Sequence, residues 1–189
     1  MLMTFGLLTL LTRAFNPTTF VRRAPPASRA AVALCTAARA DASSPTLLLF
    51  GAGYGGERVA RHALDAGYTV YGTTRSERRA AELQRCGVTP LVFRGEQPLP
   101  ESVLGRLLPS VTHVLSTVPP SRGRDPVLEH HARLISDRMP ALRWLGHFST
   151  ATVYGNASAA GAWVDETTEP RPQTAGARLR LLIESEWTD

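Results

Sequence analysis

At 189 residues the chain has one domain as its prior and enough length to bury a full core. Its 43% hydrophobic and 20% charged residues exclude fibrous and disordered classes. The net charge of +5 comes from 21 basic residues, all arginine, against 16 acids. Five of them (Arg13, Arg22, Arg23, Arg29, Arg39) precede the first carboxylate, Asp41, and the 16 that follow balance the acids, which argues against a nucleic-acid footprint.

The first 44 residues are set aside as a targeting presequence, unstructured and apart from a domain over 45–189. "MLMTFGLLTLL" is too short to span a bilayer and long enough for a signal-peptide core. The Arg-, Ala-, Ser- and Thr-rich stretch after it has transit-peptide composition, and the joint "RAFNP" resembles the Ala-Phe-x-Pro junction of two-part plastid presequences. A plastid address is therefore expected, with a mitochondrial presequence as runner-up and an addressless tail as the third reading. No membrane segment is expected in the mature chain.

"TLLLF" (46–50) is a continuous apolar run, as in a strand buried on both faces. "GAGYGG" follows, then a helix over "ERVARHALDAG" with small or apolar residues at Val59, Ala60, Ala63, Leu64 and Ala66, stopped by Gly67. "YTVYGT" is a second strand. "TRSERRAAELQRCG" is a second helix, with Thr74 and Glu77 at capping-box spacing and Gly87 at its end. "VTPLVF" and "THVLSTV" are further strands around the short helix "ESVLGRLL". "RDPVLEHHARLISDRM" is a helix capped by Asp125 with Pro126 first. "LRWLGHFST" is a fifth strand and "AGARLRLLIESEW" the last helix. Strands alternating with helices predict an α/β doubly wound parallel sheet, because parallel neighbours need crossovers.

Gly51, Gly53 and Gly56 have G-x-G-x-x-G spacing between a buried strand and a helix, the context that gives the pattern meaning. The first permits the turn, the second admits a pyrophosphate and the third lets helix and strand pack closely; unpaired N–H groups at the helix start, from Tyr54 and Gly55 onward, face the anion. An unliganded glycine-rich turn is the alternative. The second strand ends "GTTRS" with no carboxylate before Glu77. Arg75 suits a 2′-phosphate, with Thr74 and Ser76 as donors, which favours NADP and leaves NAD open. Otherwise Arg75 is a solvated residue beside Arg78 and Arg79.

Cys35 leaves with the leader, so Cys86 stands alone as a small apolar filler at a helix end, without a disulfide. His130 and His131 point about 100° apart on their helix, and no metal site is expected.

"GAGYGG", "STVPPSRGRDPVLEH", "FSTATVYGNASAAGAWVDETTEPRP" and "RLLIESEW" together resemble the extended short-chain dehydrogenases/reductases. Within them the likeness is to an atypical, NAD-dependent epimerase/dehydratase-like branch. The resemblance implies a Rossmann domain, with Thr117 beside the cofactor and Ser149 or Thr150 holding a substrate oxygen. It also implies a Tyr that moves a proton, with a Lys four residues later. With the family's Pro on Pro172 and its Glu on Glu184, Gly176 takes the Tyr position and Arg180 the Lys position. Gly176 cannot transfer a proton; Arg180 can still bind a ribose and supply charge. Tyr154 is the nearest phenol, either as the acid or as lining or packing, though Ser158 stands four residues later.

Relatives of this kind continue beyond the last helix, so the chain is expected to be C-terminally truncated relative to the family. Trp187 and the apolar face of Leu179, Leu182 and Ile183 would then lack a partner. Three readings follow. One is an NAD(P)-dependent oxidoreductase or epimerase on an unknown small carbonyl, alcohol or nucleotide-sugar substrate. The others are a non-catalytic dinucleotide-binding sensor or partner subunit, and a truncated gene product.

Overall fold

The computed structural model describes residues 44–156, 163–165 and 167–188. The presequence reading therefore falls outside the described residues, apart from residue 44, as does Ser158. Five strands, β1 (Thr46–Phe50), β2 (Thr69–Thr74), β3 (Thr89–Val92), β4 (His113–Ser116) and β5 (Trp144–His147), form one sheet in the order β3-β2-β1-β4-β5. All four pairings are parallel. Helices α1 (Tyr54–Asp65), α2 (Glu77–Arg85), α3 (Glu101–Leu107), α4 (Pro126–Asp137) and α5 (Ala175–Thr188) supply the crossovers and the last layer. This is the expected doubly wound α/β fold.

The strand β1 shows why the sheet needs helices on both faces. Leu48 and Phe50 join one cluster, with Leu104, Val127, Ile135, Ile183 and Trp187 of α3, α4 and α5. Leu47 and Leu49 point the other way, to Ala60 of α1 and Leu83 of α2. None of the four is more than 4% exposed, and each contributes roughly 2 kcal/mol of burial. Alternation along the strand thus feeds two cores.

Local signals end the helices as expected at Gly67 (φ +85°) and Gly87 (φ +88°), which take left-handed backbone. Three expectations are corrected. Thr74 does not cap α2, because it still belongs to β2; Ser76, extended at φ −136°, accepts from Arg79 N at 3.4 Å instead. Cys86 is no apolar filler: it is exposed at the end of α2, beyond the last buried position, Leu83. Nor do Ile183 and Trp187 lack partners. With Leu179 they form an i, i+4 stripe that packs against the sheet, and Leu182, off that stripe, is left 58% exposed.

No helix among the described residues is long and apolar enough to cross a membrane. No group of three or more His, Cys, Asp or Glu among them is placed to hold a metal. His131 is buried and accepts from Leu99 N at 3.0 Å, while His130 meets the carbonyl of Gly95, which gives each imidazole a separate structural partner.

Candidate functional site

The chain reverses between β1 and α1 through Gly51, whose φ of +90° suits glycine. Two bonds from β2 pin the turn: Gly51 N donates to Thr73 Oγ1 at 2.8 Å and Ala52 N to Thr73 O at 2.7 Å. From β4, Thr117 Oγ1 donates to the Gly51 carbonyl at 2.5 Å. Thr117 therefore braces the turn from beneath. A Cβ on Gly56 would collide with the same carbonyl, so the third glycine serves helix–strand contact rather than a ligand.

Gly53 differs. It caps α1 without a side chain, and a Cβ there would meet nothing within 4 Å. The N–H groups of the first turn lack intrahelical acceptors and carry the positive end of the dipole. Gly51, Ala52 and Gly53, which lead into that turn, line a cleft of about 520 Å³ at the C-terminal edge of β1, β2 and β4. This is where strand order reverses, the place such sheets bind ligands, and the volume lies within the small-ligand range.

Gly51, Gly53, Thr74, Arg75, Ser76 and Thr117 all line that cleft. Tyr54, Gly55 and Gly56 do not. Tyr54 is 77% exposed, with Arg58 over its ring at 5.0 Å, and a Cβ at Gly55 would face the Phe148 ring at 3.5 Å. The glycine motif predicts anion contact from Tyr54 and Gly55 onward and close packing at Gly56; helix geometry turns the Tyr54 side chain outward and Gly55 toward Phe148, while Gly56 packs on the Gly51 carbonyl.

The cleft is basic on one wall. Arg79 is spoken for, held by Glu57 and, at 2.8 Å, by Glu82, and Arg78 lies 3.5 Å from Glu82. The Arg61 and Arg79 hydrogen bonds hold the Glu57 carboxyl below its usual range. Arg75 and Arg94 pair with no carboxylate among the described residues, and both line the cleft. Arg94 was not singled out from sequence. It stands just past β3, and only the pairing of β3 with β2 brings it beside Arg75.

The chemical end follows β5. Ser149 is half-buried, and its hydroxyl is hydrogen-bonded to Glu184 Oε1. Thr150 caps a 3-10 turn over Ala151–Tyr154, accepting from Thr152 N at 3.4 Å. Tyr154 is 4% exposed, a core side chain. Gly176 lies exposed in the first turn of α5 with open space where a Cβ would be. Arg180, one turn on, donates from Nη1 to the Phe148 carbonyl at 3.4 Å. Burial pulls its pKa down, against the charges of Asp125 and Glu184.

Beneath lie groups that the sequence reading used only as local signals. Asp125 accepts from Val127 N (2.7 Å) and Leu128 N (3.2 Å) with Oδ1, and from Trp187 Nε1 (2.9 Å) with Oδ2. His147 stacks on Trp187, 18° from parallel, with Nδ1 4.0 Å from Asp125 Oδ2. Among the described residues neither His147 ring nitrogen has a hydrogen-bond partner, nor does Ser116 Oγ, its neighbour across β4–β5. Burial takes His147 to a pKa of about 4. The sequence signal for this cluster was slight: His147 is a titratable residue ending the apolar run of β5, while Asp125 and Glu184 stand among other polar residues.

No protein-family model matches the chain. No curated protein matches it. Among solved structures, a functionally unknown conserved protein from Silicibacter pomeroyi DSS is 37% identical, with a TM-score of 0.64 over 76% of this chain and 48% of its own. A proposed epimerase from Burkholderia cenocepacia J2315 is 22% identical, with a TM-score of 0.53 over 77% of this chain and 51% of its own. The chain thus spans about half the length of either. These likenesses, with the strand order above, make the fold Rossmann-like.

Proposed function

We propose that the chain binds a nicotinamide dinucleotide in the cleft, NADP in preference to NAD, and acts as an oxidoreductase or epimerase on a small carbonyl, alcohol or nucleotide-sugar substrate. The observation that carries the binding is the glycine turn opening onto a basic cleft at the strand-order switch. Gly53 and the α1 N-terminus would hold the pyrophosphate, and Arg75, with Thr74 and Ser76, a 2′-phosphate. When bound, the cofactor supplies or removes hydride. Ser149 would hold the substrate oxygen and Arg180 would place positive charge nearby. One finding favours a second, purely binding role: Gly176 offers no phenol, and Tyr154 is buried.

Fluorescence titration with NADPH and NADH tests this reading. Arg75→Glu is expected to weaken NADPH by roughly 10-fold or more, the worth of a charged hydrogen bond, and to leave NADH nearly unchanged. Equal NADPH affinity in both proteins removes the phosphate role. No binding of either nucleotide by the wild-type chain removes the whole proposal.

A further inference from the structure

The resemblance puts a proton-transferring Tyr where this chain has Gly176, and the structure fills that space with nothing. At the end of β5 the structure places Glu184, the residue that matches the family's own Glu, against Ser149. That carboxyl is 8% exposed, sits one turn beyond Arg180 on the same helix face, and is hydrogen-bonded to the Ser149 hydroxyl. A buried carboxyl is costly unless it is paired or protonated, and Glu184 has the Ser149 hydroxyl bonded to it and only the charge of Arg180 nearby. Its neighbour Asp125 cannot take the same part, since both its oxygens are committed to the α4 cap and to Trp187.

We propose that Ser149 and Glu184 form a proton relay in place of the phenol, with Glu184 as the reservoir and Ser149 Oγ as the group that touches a carbonyl or alcohol oxygen. In the reducing direction, the Oγ–H bond breaks as that oxygen, its carbon accepting hydride, forms a new O–H bond. Oγ takes its replacement proton from Glu184, which is left as a carboxylate facing Arg180. In the oxidising direction both protons move the other way. Hydride comes from or goes to a nicotinamide dinucleotide, so the relay rests on the cofactor reading above.

The surroundings suit a carboxyl that holds its proton above the ordinary carboxylate range. Burial raises the Glu184 pKa, while Ser149 and Arg180 pull it back. The charged or titratable groups around it are Arg180 on the same helix, Asp125 at the start of α4 and His147 on β5, which stays uncharged above about pH 4.

Infrared spectroscopy of the full chain across pH tests the relay without a substrate. A protonated-carboxyl band is expected to persist above the ordinary carboxylate range, to vanish in Glu184→Gln, and to shift in frequency in Ser149→Ala. Carboxyl ¹³C NMR of glutamate-labelled wild-type protein should give the same elevated midpoint with no substitution made. NADPH titration of the same samples separates the two claims. NADPH bound normally, with Glu184 titrating as an ordinary carboxyl or blind to Ser149→Ala, overturns the relay alone. A wild-type chain that binds no NADPH overturns the cofactor reading beneath it.

Discussion

Gly53 and Gly56 carry the same letter in the same motif and have opposite jobs. At Gly56 a methyl group would press on the Gly51 carbonyl and on Thr117 Oγ1, both held by neighbouring strands. Gly56→Ala is therefore expected to cost about 1–3 kcal/mol of stability by overpacking, with loss of NADPH binding following from the displaced turn. At Gly53 the methyl group enters open cleft, so Gly53→Ala should cost no more than about 1 kcal/mol in the free protein yet weaken NADPH. Thermal melting with and without NADPH checks the pair; equal melting losses in the free proteins would contradict the geometry. The spacing of these glycines was legible because it is local. What braces their turn was not, since that depends on where the fold brings Thr73 of β2 and Thr117, just past β4. Arg94 was missed for the same reason.

Asp125 makes the point for elements. Asp-Pro announces a helix start in sequence, and the cap over Val127 and Leu128 is as expected. Its second oxygen reaches Trp187, 62 residues away, which no local pattern encodes. One carboxyl thereby fastens α4 to α5 and lies beside β5. Asp125→Ala should then cost more than a lost cap: about 1 kcal/mol for the cap and about 1–3 kcal/mol for a buried indole N–H left unpaired. Ser76→Ala, at an exposed cap with a 3.4 Å bond, should cost no more than about 1 kcal/mol. Urea denaturation of both variants decides it; equal losses would mean that the Trp187 bond carries no weight. The elements themselves were readable in order, because apolar runs and helix stops are local. The bounds shifted where a strand ran on, as at Thr74, and α5 found partners in the sheet that its sequence alone did not reveal.

At the scale of the whole molecule, the core on the α3–α5 face is built around two neutral imidazoles. Burial lowers His131 and His147 from 6.5 to about 4, with the neighbouring charge of His130 adding to the effect at His131 and that of Arg180 at His147. Between these values the unfolded chain binds more protons than the folded one, so stability is full above about pH 6.5 and falls as pH drops toward 4. Each histidine accounts for roughly 3 kcal/mol across that window. Glu184 works against this trend, because its raised pKa favours the folded state at low pH and that contribution fades as pH rises. The lowered pKa values of Glu57 and Glu82 act from about pH 4.5 downward, at the acid end of the window, where the unfolded chain's carboxylates take protons first. The decline between pH 6.5 and 4 should therefore belong to His131 and His147, with His113, whose pKa burial and then the Arg143 charge also lower, adding to it. His147 has no hydrogen bond to lose among the described residues and stacks flat on Trp187, so His147→Phe should hold or raise stability at pH 7 and remove a large share of the slope. His131→Phe, which orphans Leu99 N, should remove a similar share of the slope while losing about 1–3 kcal/mol at pH 7. Urea midpoints measured from pH 7 to pH 4 separate the two. An unchanged slope in His147→Phe would mean that this histidine is charged in the folded protein, and that Asp125 then serves it as a counter-ion as well as capping α4.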